Sequence, residues 1–176
     1  MNPSVGRMQE LEPPDSFYLS AAIGWIQLGN MTEAKVELAG LSAKAQDHPD
    51  VLEAKWWICS HESRWEEGLQ VARALLVGAP DRSSGWLNQA YALRRIPEGS
   101  VKKAWDALLP AFDKFPSDAT IPYNLSCYAC QLQLMDAARV WLKRAFVIGD
   151  EQRVRKMALA DPDLKPLWEE IRTGGL

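Results

Sequence analysis

The sequence predicts an all-α fold, built as an array of antiparallel helix pairs that repeats about every 34 residues. Three observations carry this. Small residues recur at Ala34, Gly68, Ala104 and Ala138, separated by 34, 36 and 34 residues. Two further columns keep the same separations: Leu38, Ala72, Leu108 and Leu142, then Leu41, Leu75, Ala111 and Ala145. Steps of four and three residues put these sites on one helical face, and a fixed period of this length marks one repeated supersecondary unit. Alternation of apolar and polar residues over strand length is absent, so no sheet is expected.

The elements follow in order. A first helix spans 15–28 and stops at Gly29-Asn30, and "NMTEAKVELAGLS" (30–42) forms its partner. His48-Pro49 separates this pair from the next, made of 51–62 and "SRWEEGLQVARALL" (63–76). After Ala79-Pro80-Asp81 come 84–95 and, beyond Pro97-Glu98-Gly99, "SVKKAWDALLPAF" (100–112). After Pro116-Ser117-Asp118 come 119–132 and "LMDAARVWLKRAF" (134–146). Pro and Gly clusters of this kind end helices, and Asp50, Asp81, Ser117 and Asp118 are placed to cap or open the next one. The last segment, 151–176, is read as capping helices and tail, with Leu164, Leu167, Trp168 and Ile171 facing inward. A stacked array needs such an end because its last unit otherwise exposes an apolar side.

These residues resemble the tetratricopeptide repeat, a helix–turn–helix unit of about 34 residues with small residues inside and Pro between units. The aromatic site early in the first helix reads Tyr18, Leu52, Trp86 and Pro122, and the small site four positions on reads Ala22, Trp56, Ala90 and Ser126. The alanine site of the second helix is the first column above, and the inter-unit Pro stands at Pro80 and Pro116. The second unit departs most, with Lys55 where Leu is usual and Trp56 where a small residue is usual; the third carries a two-residue expansion in "RIPEGS". The resemblance implies a right-handed α-solenoid. Its segments are a flexible stretch 1–14, four pairs over 15–48, 49–82, 83–118 and 119–150, and a cap over 151–176.

Composition narrows the class. A chain of 176 residues suits one domain or a short array, and it buries enough surface to need no metal or disulfide staple. The net charge of −3 argues against a nucleic-acid binder. Cys59, Cys127 and Cys130 are too few and too uneven for a secreted disulfide framework. The opening "MNPSVGRMQELEPPDSF" has no apolar signal region, and no apolar run approaches a membrane span. The expectation is a soluble protein of the cytoplasm.

The resemblance also implies that first helices line a concave side that takes a peptide or helix of a partner. Inward sites are then Ser16, Leu19, Ile23, Ile26 and Gln27 in the first pair, and Asp50, Glu53, Trp57, Ser60 and His61 in the second. The third gives Ser84, Leu87, Asn88, Tyr91, Arg94 and Arg95; the fourth gives Thr120, Tyr123, Asn124, Cys127, Cys130 and Gln131. Trp57, Tyr91 and Tyr123 are the residue types that anchor interfaces. Asn88 and Asn124 can hydrogen-bond a ligand backbone, and Arg94 and Arg95 can pair with a carboxylate. The partner expected from these is a protein segment, acidic or C-terminal, lying across the second to fourth pairs. The same residues also have plain readings: Asn is common here for structural reasons, Arg near a helix end complements its dipole, and one of Trp56 and Trp57 belongs to the core. An array with Leu19, Ile23 and Ile26 exposed is alternatively a self-associating subunit, unless 11–14 folds back over that row.

Cys127 and Cys130 form a C-x-x-C. Redox pairs of this kind sit at a helix N-terminus, which lowers the thiol pKa, whereas these fall in mid-helix. A zinc site needs three or four ligands, and His48 and His61 lack the spacing to complete one. Phosphate loops and hydrolase signatures are absent. Neither metal, cofactor nor enzymatic activity is expected.

Overall fold

The structure, a computed structural model, describes residues 10–176. Among them every regular element is helical, and no strand occurs. The expected flexible stretch 1–14 lies outside the described residues for 1–9. The chain divides into two compact units, 1–64 and 65–176, with the division between the two helices of the second expected pair.

The first unit packs α1 (Asp15–Gln27), α2 (Met31–Ala39) and α3 (Pro49–His61). Asn30 starts α2 because its side-chain oxygen accepts the Glu33 N–H at 3.2 Å, satisfying a donor that the first turn leaves open. His48 plays the same part for α3, accepting from the Asp50 N–H, and Pro49 supplies a preset φ in the first turn. Leu19, Ala22, Ala34, Leu38, Leu41, Val51 and Ile58 form the core. Asp15 ties the start of α1 to the segment that follows α2, accepting from both the N–H and the hydroxyl of Ser42 at 2.7 and 2.6 Å. Leu11 and Ile26 pack against this core.

The second unit contains α4 (Trp65–Gly78), α5 (Ser83–Leu93), α6 (Val101–Leu108), α7 (Ala111–Lys114), α8 (Thr120–Gln131), α9 (Met135–Ile148), α10 (Glu151–Ala160) and α11 (Trp168–Thr173), with a 3-10 helix over Pro162–Leu167. Neighbours in sequence pack as neighbours in space, α4 with α5, α5 with α6, α8 with α9 and α9 with α10. Ser100 and Asp150 cap α6 and α10 by accepting the Lys103 and Arg153 N–H groups at 3.1 and 2.8 Å. Pro110 has no N–H to donate, and the helix expected over 100–112 stops at Leu108 and restarts at Ala111. Near the C-terminus Leu164, Leu167 and Ile171 are buried, and the Trp168 indole donates to the Ala158 carbonyl at 2.9 Å.

Every residue of the three sequence columns is buried. Small side chains there let paired helices approach closely; across one such approach Ser126, fully buried, donates to the Ala138 carbonyl at 2.9 Å. Two expectations need correction. Leu19 is a core residue rather than part of an exposed row, because it faces α2 and α3 along with Ala22. Asp81 and Ser117 do not cap: α5 begins after Arg82 and α8 after Ala119, neither with a capping side chain. Asp118 instead accepts the Thr120 N–H at 2.9 Å and the Ser83 hydroxyl at 2.6 Å.

Three surface carboxylates make the fold acid-sensitive. Asp15 is held below its ordinary pKa by the Ser42 hydroxyl and N–H, Glu62 by Lys35 and then Arg64, and Glu170 by the two-pronged hydrogen bonds of Arg139. Depressed carboxyls bind fewer protons folded than unfolded. Their contribution is therefore fully present above the ordinary carboxylate range and is lost as pH falls through the lowered folded values. The urea midpoint is expected to stay level from about pH 7 to about pH 5.5 and to fall below about pH 4.5. Asp15→Asn should shrink the fall, and a midpoint that rises on acidification would contradict this.

Candidate functional site

Within the first unit, α1 and α3 enclose a groove of about 550 Å3, lined by Ile23, Ile26 and Gln27 from one side and Asp50, Glu53, Ala54 and Trp57 from the other. Asp50, Glu53 and Trp57 are three and four residues apart, which stacks them along one face of α3. The neighbouring tryptophans divide their roles. Trp56 is 6% exposed and in the core, whereas Trp57 is 60% exposed over the groove, the two rings meeting edge-on at 5.6 Å. Ile23 is 39% exposed, and its apolar surface continues into a smaller recess shared with Leu11, Leu19 and Asp50. The expected fold-back of 11–14 is thus met in part: Leu11 packs beside the row and leaves Ile23 open. His61, at the C-terminal end of α3, is exposed and does not line the groove.

Within the second unit, the side chains of α5 and α8 are drawn together by the chain's own acidic segment. Arg94 donates to Asp163 at 2.6 Å, with its guanidinium 5.5 Å from the Tyr128 ring centre. The Tyr123 hydroxyl donates to Asp161 at 3.0 Å, and the Cys127 thiol lies 3.6 Å from the same carboxylate oxygen. Burial penalises the Arg94 charge, but the hydrogen bond and charge of Asp163 outweigh it and raise its pKa. Arg95 goes the other way, lowered by burial. It donates to the Tyr91 carbonyl at 2.9 Å and lies over the rings of Tyr91 and Trp65, at 3.4 and 5.0 Å. Asn124 spends an amide hydrogen on the Thr120 carbonyl one turn back, at 2.8 Å; Asn88 is half-buried on α5.

The structure therefore brings Arg94, Tyr123 and Cys127 together under Asp161 and Asp163, and sets Arg95 and Tyr91 beside Trp65. Of the two arginines expected to meet an acidic partner, Arg94 meets an acidic residue of the same chain, and Arg95 meets a carbonyl and two aromatic rings. Asp161, Asp163 and Trp65 were not among the expected site residues. The signal in the sequence is "ADPDL", two carboxylates bracketing a proline, which reads locally as nothing more than a helix start; Asp161 does accept the Asp163 N–H at 3.0 Å.

Among the described residues, the Cys127 sulfur and one oxygen each of Asp161 and Asp163 lie within 4.8 Å of one another, the geometry of a candidate cation cage. Its donors are already engaged, Asp163 by Arg94 and Asp161 by Tyr123 and Cys127. Burial, reinforced by Asp161 and Asp163, pushes the Cys127 thiol well up, and burial with Asp163 pushes Cys130 up to about 11. Thiolate, the nucleophilic and metal-binding form, is scarce at both near neutral pH. All three cysteines are buried and outside any disulfide. Among the described residues no helix is long and apolar enough to cross a membrane. No family model matches the chain, and no curated protein matches it.

Proposed function

We propose that this chain is a protein-interaction module of the tetratricopeptide type, a solenoid acting as a scaffold or chaperone-like adaptor that holds a peptide or helix of a partner against its first helices. The observation that carries the reading is Trp57, 60% exposed above a groove floored by Ile23, Ile26 and Ala54. A large indole left in water beside apolar side chains is the composition of an interface anchor. Support for the repeat reading comes from the burial of all three 34-residue columns. Cytoplasmic residence belongs to the same proposal, on the warrant of three cysteines outside any disulfide.

Trp57→Ala separates binding from folding. Trp57 contributes little to the core, so the variant should keep its unfolding free energy within about 0.5 kcal/mol of wild type. It should lose the partners that wild-type protein retains from lysate of the source organism. Equal capture by both proteins would move the site elsewhere. Self-association is the second reading, favoured by the same open Ile23 and Trp57. A mass by light scattering that does not change with concentration and equals one chain would remove it.

A further inference from the structure

The outward face of α9 mixes apolar and cationic side chains. Ala138, Trp141, Leu142, Ala145 and Phe146 turn inward and are buried. Val140, Lys143, Arg144 and Val147, set on steps of three and four residues, share the other side of the helix. All four are exposed, Val147 at 86%. Beside α7, Phe112 joins Lys143, Arg144, Val147 and Ile148 around a recess of about 340 Å3. Sites for whole small molecules run from about 300 to about 1,000 Å3, so this one suits a side chain or two.

The lining carries two positive charges and no carboxylate. The Arg144 guanidinium lies over the rings of Trp141 and Phe112, 4.5 and 5.0 Å from their centres, and those rings meet edge-on at 5.0 Å. A guanidinium held by its face keeps its in-plane N–H donors for another group. Among the described residues, neither Lys143 nor Arg144 has a carboxylate within ion-pair distance. The acidic groups nearby are occupied or set aside. Glu170, whose charge reaches Lys143, is held by the fork of Arg139, which also takes Asp136 at 3.0 Å. Asp150 caps α10, and Glu151 accepts from Arg155 at 2.8 Å. Asp113, on α7, is exposed and does not line the recess.

We propose that this recess is a second docking surface, for an acidic, apolar segment of a partner protein. An aliphatic or aromatic side chain enters against Phe112, Val147 and Ile148, and a neighbouring aspartate or glutamate pairs with Lys143 or, two-pronged, with Arg144. The surface goes beyond the proposed function and does not rest on Trp57, a residue of the other unit. It also moves the acidic partner away from Arg94, which Asp163 holds, to a helix expected to be the second of its pair. Apolar contact supplies affinity. The cations supply selection, because a basic segment would bring like charges together as it desolvates.

The test uses the full chain and three fluorescent peptide pools that share apolar residues spaced three and four apart, with flanks of glutamate, serine or lysine. Binding is read by anisotropy at low and high salt. The glutamate pool should bind at least tenfold more tightly than the lysine pool, and the gap should narrow as salt screens it. Lys143→Gln with Arg144→Gln should reduce the gap to about threefold or less. Because Arg144 also packs on two rings, Val147→Asp is the second variant: it changes a side chain already in water and should weaken the glutamate pool about tenfold with the helical signal unchanged. Trp57→Ala should leave that pool's binding as it is. A lysine pool that binds as well as the glutamate pool overturns the acidic class. Glutamate-pool binding that survives both α9 variants, or that Trp57→Ala abolishes, overturns the site. If no pool binds, but vesicles containing phosphatidylserine do and Val147→Asp releases them, a lipid surface replaces the partner segment. A concentration-dependent dimer that Val147→Asp dissociates replaces it with a second copy.

Discussion

Gly99→Ala is expected to cost the second unit about 3 kcal/mol, at the top of the range for forced overpacking. A Cβ built on Gly99 would stand 1.8 Å from the Leu93 carbonyl oxygen and 2.8 Å from Ile96 Cγ1. Ile96 can rotate away, but the carbonyl cannot. It belongs to the last residue of α5 and accepts the Ser100 N–H at 3.0 Å, the bond that closes the turn just before Ser100 caps α6. Accommodating one methyl group therefore requires opening this turn and loosening the α6 cap with it. Urea unfolding followed by far-ultraviolet circular dichroism measures the loss. A shift under about 0.5 kcal/mol would mean that the turn relaxes at almost no cost. The two-residue expansion in "RIPEGS" thus has a physical requirement at one position: the chain passes too close to its own backbone for any side chain.

Arg94→Ala should be destabilising by a similar amount, about 3 kcal/mol, the lower end for breaking a buried pair. Arg94 and Asp163 side chains are 19% and 23% exposed, and the pair is surrounded by the Tyr128 ring, Cys127 and Asp161. Removing the guanidinium leaves two carboxylates within 4.8 Å of each other and of a thiol, with the more distant charge of Arg95 in place of a direct partner. The cost comes from the stranded carboxylate more than from the lost bond, so Arg94→Ala combined with Asp163→Ala should be milder than Arg94→Ala alone. Lysine at position 94 should recover part of the loss, as a point charge without the planar fork. An Arg94→Ala variant as stable as wild type would show that solvent screens the pair.

The all-helical fold and the packing of neighbouring helices were readable in the sequence because their cause is local and recurrent. Helices that pack closely need small residues where they cross, so Ala34, Gly68, Ala104 and Ala138 keep a period that no single substitution hides. Lys55 and Trp56 blurred the second pair. The structure resolves them by burying Trp56 and pointing the Lys55 ammonium at Gln46, which leaves Trp57 for the groove. The groove's lining was readable in position, since Ile23, Ile26, Asp50, Glu53 and Trp57 are all among the first-helix sites expected to face inward. The engagement of Arg94 was not readable. Its partner lies 69 residues away, in a segment whose local pattern announces only a helix start, and no periodicity connects the two.

That separation also orders the events of synthesis. The first unit's cross-links, Asp15 with Ser42 and Lys35 with Glu62, each span 27 residues and are complete once residue 64 has emerged. The second unit cannot reach its final state until Asp163 is available to Arg94. A nascent chain ending near residue 150 would carry α5 and α8 with Arg94, Tyr123 and Cys127 uncovered. Partly built domains with exposed apolar and charged surface are the species most prone to misassociate. The last few dozen residues are therefore the step on which the second unit's yield depends, and C-terminal truncations should be poorly soluble while the same deletion leaves the contacts of the first unit intact.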